Sequence, residues 1–117
     1  METTPATKDS KLELSAPQLE AIARQFRVLG EASRLHLLAS LMSGPATVGE
    51  LAVATGFKQG NVSKQLAALH DAGFLHRRRD GNFVRYEIAD PVVFELCQLM
   101  CGRVGRAARE RAETLGV

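Results

Sequence analysis

The chain has two cysteines in 117 residues. That is too few for a disulfide framework, and in a reducing compartment both stay thiols. No apolar run approaches the roughly 18 residues that cross a bilayer, so no membrane association is expected. The opening residues, METTPATKDSKLEL, lack the basic-then-apolar order of a secretory signal, and a cytoplasmic location is expected. Internal repeats and low-complexity segments are missing. So are a Ser-His-Asp arrangement, a glycine loop fit to cradle phosphate and a clustered pair of carboxylates, and nothing marks an enzyme. Charge of one sign is scarce too: the net charge is +2, too small to identify a partner.

What is present suits one globular domain, with 45% apolar and 24% charged residues. The charge is unevenly placed. Residues 1–57 balance at −1, residues 58–88 at +3 and residues 89–117 at zero. Three regions are expected: a disordered arm over 1–14, a folded domain over 15–105 and a charged tail over 106–117. A helix should open after Ser15, where Ser15 and Gln18 form an S-x-x-Q capping box and Pro17 sits in the first turn. Leu19, Ile22, Ala23 and Phe26 follow at helical spacing, and Gly30 ends the helix. A second helix is expected from Ala32 to Ser43, with Leu35, Leu38 and Met42 on one face, stopped by Gly44-Pro45.

The segment TVGELAVATGFKQGNVSKQLAALHDAG carries the most information. Thr47 and Glu50 make a T-x-x-E capping box, Leu51, Ala52 and Ala54 are expected to face inward, and Gly56 supplies a tight turn. The next helix, Gln59 to Asp71, has Val62, Leu66 and Leu69 at i, i+4 and i+7. Its other side presents Gln59, Asn61, Ser63, Lys64 and Gln65. Two short helices joined this way predict a helix-turn-helix whose second helix enters a DNA major groove. Arg77, Arg78 and Arg79 come next, then Asp80-Gly81-Asn82 and an alternating strand. In that strand Val84, Tyr86 and Ile88 point one way and Phe83, Arg85 and Glu87 the other. A basic hairpin after a helix-turn-helix predicts a wing. Its arginines suit phosphate or minor-groove contact, or alternatively a solvated strand edge.

A last helix should open with Asp90 as N-cap and Pro91 at its first position, carrying a stripe of Val93, Leu96, Met100 and Val104. Two reading helices must sit about 34 Å apart to use successive grooves, which favours a two-fold homodimer. The expected fold is therefore mainly α with a small β-hairpin wing: a winged helix-turn-helix, dimeric through terminal helices.

Residues 17–104 resemble the ArsR/SmtB family of winged-helix repressors. The resemblance is carried by GEASRL, VSKQLAAL, AGFL and VRY, and covers about three quarters of the chain. It implies a homodimeric repressor that leaves its double-stranded DNA operator when a metal, metalloid or oxidant binds. It also implies groove contacts from Gln59, Asn61, Ser63, Lys64 and Gln65, and wing contacts from Arg78, Arg79 and Arg85. Three departures stand out. Lys58 occupies the position where relatives place a capping Ser or Asn, so its charge opposes the helix dipole unless a phosphate offsets it. Thr47–Leu51 lacks the Cys-x-Cys cluster of some metalloid sensors. No histidine follows His76, so the Asp/His zinc site of others is incomplete despite Asp90.

Cys97 and Cys101 are the only thiols and lie four apart on the last helix, sharing a face. Three roles fit them. They suit a soft ion such as As(III), Cd(II) or Zn(II), completed by another ligand or by a partner's pair. They suit redox or reactive-sulfur sensing. They also suit plain packing beside Leu96 and Met100. His36, His70 and His76 are scattered and read as surface or partly buried polar residues, with His70 near enough the reading helix's end to meet a phosphate. The contrasting function for the whole chain is a winged helix used as a protein-interaction module.

Overall fold

The computed structural model describes residues 14–115. Apart from Leu14, the arm expected over 1–14 lies outside the described residues. The order is α1 (Ala16–Leu29), α2 (Ala32–Leu41), β1 (Ala46–Thr47), α3 (Val48–Thr55), α4 (Gln59–Asp71), β2 (Leu75–Asp80), β3 (Phe83–Ile88) and α5 (Val92–Thr114). The core gathers Leu37, Leu38 and Leu41 of α2, Leu51 of α3, Val62, Leu66 and Leu69 of α4, Phe74 and Leu75 at the wing's entry, Tyr86 and Val93.

Both capping boxes form. At α1 the Gln18 amide donates to Ser15 Oγ at 3.3 Å and the Ser15 amide to Gln18 Oε1 at 2.8 Å. At α3 the Glu50 amide donates to Thr47 Oγ1 at 3.1 Å and the Thr47 amide to Glu50 Oε1 at 2.9 Å. Each box satisfies two amides that the helix itself leaves without partners. Gly56 closes α3 at φ +80°, a left-handed conformation that costs glycine little.

The inward face of α2 differs from the sequence expectation. Leu37, Leu38 and Leu41 are buried, whereas Leu35 and Met42 are exposed, and the helix ends at Leu41 rather than Ser43. Leucines at 35, 37, 38 and 41 satisfy helical spacing on two overlapping stripes, so periodicity alone does not choose between them. In α3 Leu51 is buried and Ala52 half-buried, but Ala54 is exposed. An eight-residue helix has room for only a narrow inward stripe.

The sheet is antiparallel, ordered β1-β3-β2. The two-residue β1, absent from the sequence reading, pairs Ala46 with Tyr86 and Thr47 with Arg85. Two residues carry no readable alternation. Tyr86 is buried and Phe83 at the wing tip exposed, as the alternation required, but Arg85 and Glu87 are half-buried like Val84 and Ile88.

The expected cap is shifted by one residue: Pro91, not Asp90, is the N-cap and α5 begins at Val92, while Asp90, just before the cap, accepts from the Val92 amide through Oδ1 at 3.0 Å. The helix then runs unbroken through Gly102 and Gly105 to Thr114. The charged tail expected after residue 105 thus continues α5 as far as Thr114. Val93 is buried, but from Gln98 to Leu115 only Gly105 and Ala112 are less than exposed. Leu99, Met100 and Val104 lie open, and so do Leu19, Ile22 and Phe26 of α1, which buries none of its residues.

Candidate nucleic-acid interface

Helix α4 is held from below. Val62, Leu66 and Leu69 are fully buried, which at about 25 cal/mol per Å² anchors the helix by a few kcal/mol. Polar ties add direction. Gln25 Nε2 of α1 donates to the Ala72 carbonyl at 3.2 Å. Arg34 of α2 donates through Nη1 to the Val28 carbonyl at 3.1 Å and through Nε to Gln65 Oε1 at 2.8 Å.

The outer face carries Gln59, Asn61, Ser63 and Lys64, all exposed, with Lys58 exposed at the N-cap. Lys58 makes no side-chain cap. The first helical hydrogen bond runs from the Val62 amide to the Lys58 carbonyl, so the amides of Gln59, Gly60 and Asn61 precede it. Such a helix start, with a lysine beside it, is chemistry that favours a phosphate.

Gln65 departs from the expectation of a groove-facing residue. It is 7% exposed. Its oxygen accepts from Arg34 and its Nε2 donates to Asn61 Oδ1 at 3.2 Å. Position 65 lies one turn from Asn61 but three residues after Val62 and one before Leu66, at the margin of the apolar stripe, and Arg34 supplies the partner that makes its burial tolerable.

The wing sorts its arginines into two kinds. Arg78 and Arg85 stand directly opposite one another across the ladder, a like-charge pairing that is unfavourable alone. Carboxylates resolve it. Arg78 Nη2 lies 3.0 Å from Glu87 Oε1, and Arg85 reaches Asp80 Oδ2 at 2.7 Å and Glu50 Oε1 at 3.2 Å. The hydrogen bond to Asp80, then the charge of Glu50, raises the Arg85 pKa. The Thr47 backbone amide, then Arg85, holds the Glu50 carboxyl below its ordinary value. The free wing cations expected at 78 and 85 are therefore already engaged. Arg77 and Arg79 lie on the opposite face of β2, across from Tyr86 and Val84, and with Val48 they line an open cleft. Among the described residues neither pairs with a carboxylate.

Cys97 is half-buried and packs against the core, while Cys101 is exposed. Among the described residues no group of three or more His, Cys, Asp and Glu could hold a metal ion. His36 packs edge-on against Phe57 at 5.7 Å, His70 Nδ1 lies 3.6 Å from Asp71, and His76 is exposed. None approaches the cysteines closely enough to form such a group. The sequence reading missed Arg34, Gln25 and the second role of Glu50 as a wing partner. Arg34 alone had a signal: a charged residue three and four positions before the apolar Leu37 and Leu38, on the same side of the helix.

A helix-turn-helix with a basic hairpin behind it defines a winged-helix DNA-binding regulator. Comparison with known proteins gives the family. The model of bacterial regulatory proteins of the arsR family matches residues 31–77. A probable mercury resistance operon repressor of Streptomyces lividans is 39% identical over 80 residues, 68% of this chain, and the match spans 64% of that relative's length. The crystal structure of the AntR antimony-specific transcriptional repressor superposes with a TM-score of 0.74 at 33% identity, covering 84% of this chain and 89% of that one. A homodimeric winged helix-turn-helix domain from Mycobacterium bovis, a possible ArsR-family regulator, gives a TM-score of 0.74 at 30% identity over 84% and 94%. The chain belongs to the ArsR family of transcriptional repressors. No described helix is long and apolar enough to cross a membrane.

Proposed function

We propose that this protein is a two-fold homodimeric repressor, acting on DNA in the cytoplasm and released from its operator when a soft metal or metalloid ion binds Cys97 and Cys101. Its groove contacts are Gln59, Asn61, Ser63 and Lys64, with Lys58 on a phosphate and Gln65 as a positioning residue. Arg77 and Arg79 are the backbone contacts of the wing, while Arg78 and Arg85 are held by its carboxylates. The working unit is residues 15–114, with α5 wholly part of it.

One observation carries the reading: α5 leaves apolar side chains uncovered, with Cys101 exposed beside Met100 and Val104 and Cys97 one turn earlier against the core. Leu99, Met100 and Val104 are 70%, 55% and 61% exposed, and Phe26 of α1 is 58% exposed. A second copy of the same surface would cover them, and apolar burial of that kind is the usual driving force of a homodimer seam. A homodimeric winged-helix relative supports it. The seam would also bring the cysteines of two copies onto one surface. Two thiolates per chain suit a soft ion, and further ligands would come from the second copy. The mercury-operon and antimony-specific relatives support this class of inducer. An ion held there would differ in affinity between seam arrangements, and hence between DNA-bound and released states. The exposure of Cys101 also favours a second reading, in which an oxidant or reactive sulfur species acts on the same thiols. A direct i, i+4 bridge is poorly aimed in an intact helix and would bend α5.

The test is operator affinity of the reduced protein by fluorescence anisotropy, titrated with As(III), Cd(II), Zn(II) and a polysulfide. The Cys97→Ser/Cys101→Ser double variant runs alongside. Release of the wild type by an ion but not of the variant supports the ion sensor. Release by polysulfide alone supports the redox reading. Tight binding that no addition disturbs in either protein makes the thiols packing residues and refutes both.

A further inference from the structure

We infer that the Arg34–Gln65 pair sets which base edge the reading helix recognises, by turning the amide NH2 of Asn61 outward. The inference rests on α4 being the groove helix, as proposed above.

The chain of donors runs one way. Arg34 Nη1 donates to the Val28 carbonyl at 3.1 Å, Arg34 Nε donates to Gln65 Oε1 at 2.8 Å, and Gln65 Nε2 donates to Asn61 Oδ1 at 3.2 Å. A side-chain amide can be turned over, so its oxygen and nitrogen are normally interchangeable in such a network. Here they are not. A guanidinium has only donors and stays charged at every physiological pH. The group of Gln65 that faces Arg34 must therefore be its oxygen, which leaves Nε2 facing Asn61. Asn61 must answer with Oδ1. Its Nδ2 is then the group left at the exposed face, and among the described residues it has no hydrogen-bond partner.

Burial holds this polarity in place. Gln65 is 7% exposed and is the one polar residue among the buried described residues. Reversing it would set an amide NH2 against a guanidinium and leave donors on both unpaired. A freely rotating asparagine presents one acceptor and one donor and reads adenine bidentately through N6 and N7. The Gln65 bond takes one of the two lone pairs of Oδ1 and fixes the plane of the Asn61 amide, which handicaps that bidentate match. So held, Asn61 presents chiefly N–H donors, which best match guanine, whose O6 and N7 both accept, and thymine O4, whereas adenine offers N7 alone beside a donor. Arg34, which contacts no base, is thereby a positioning residue for specificity.

The test measures base preference, by selection from a randomised duplex library followed by relative affinities for the four base pairs at each operator position. Asn61→Ala should flatten preference at one position, which identifies the pair under Asn61, and the wild type should prefer G or T there. Gln65→Glu is the decisive variant. Its carboxylate accepts from Arg34 and can only accept from Asn61, so Asn61 turns its oxygen outward. Preference at that position should swing about tenfold toward adenine or cytosine, whose edges carry donors. Arg34→Lys keeps a donor and should keep the wild-type preference. Arg34→Met, which leaves the Gln65 amide free to turn, should admit adenine alongside G and T, and it tests the inference if Gln65→Glu does not fold. Folding of each variant is checked by its thermal transition. A uniform loss of affinity for all four pairs in both Gln65→Glu and Arg34→Met, with Asn61→Ala flattening one position, overturns the inference and leaves the groove assignment standing. If Asn61→Ala flattens no position, the placement of Asn61 in the groove fails, and the inference with it.

Discussion

The two kinds of wing arginine should separate in the salt dependence of operator binding. Each phosphate neutralised by the protein contributes about 0.9 to the slope of log affinity against log salt. Arg79 faces away from the wing's carboxylates, so Arg79→Ala removes one contact per protomer and about 1.8 from the slope of a dimer. Over a fourfold rise in salt, from about 50 to about 200 mM, that amounts to roughly a tenfold difference in how much affinity is lost. Arg78 sits 3.0 Å from Glu87. The double variant Arg78→Ala/Glu87→Ala deletes a neutral pair and should leave the slope within about 0.5 of the wild type. Fluorescence anisotropy on one labelled duplex across five or six salt concentrations measures both. The sorting of the arginines would be refuted by a double variant that shifts the slope as far as Arg79→Ala does, or by an unchanged slope in Arg79→Ala.

Three further outcomes are expected. Lys64→Ala should weaken operator binding more than tenfold at moderate salt through loss of an exposed contact on α4, and an unaltered Kd would remove Lys64 from the interface. Leu66→Ala should cost about 2–5 kcal/mol in denaturant unfolding, because the side chain is fully buried beneath the reading helix; a cost under about 1 kcal/mol would mean the core collapses around it. Glu50 has its carboxyl depressed below the ordinary value near 4.5, by the Thr47 amide first and Arg85 after it. Its contribution is then fully present above the unfolded carboxylate's pKa and is lost as pH falls through the lower folded value. The thermal midpoint of Glu50→Gln should fall less steeply than that of the wild type as acid is added, and parallel curves would show that Glu50 does not contribute.

Much of the fold was legible because local chemistry and the global packing agree. Ser15-x-x-Gln18, Thr47-x-x-Glu50, Gly56 and the Val62/Leu66/Leu69 stripe each act within a few residues, and the structure uses them as their spacing implies. The misplaced features depend on what lies opposite. Leu35 and Leu37 are equally apolar, and only the position of α3 and α4 decides which is buried. Gln65 reads as one more polar residue on an outer face until Arg34, 31 positions earlier, is set against it. Arg78 and Arg85 read as free cations until the strand register brings Glu87 and Asp80 beside them. A single sequence shows the residues of a site more readily than their partners, because partners across the fold leave no periodic trace.

The central claim is that α4 reads DNA as one half of a symmetric pair. Selection of binding sites from a randomised duplex library tests it most directly, comparing the wild type with a variant in which Gln59, Asn61, Ser63 and Lys64 are alanine. An enriched two-fold symmetric site is expected for the wild type, its half-sites one helical turn apart or about 10–10.5 base pairs, and no enrichment for the variant. An enriched site that survives the four substitutions, or one without two-fold symmetry, would contradict it.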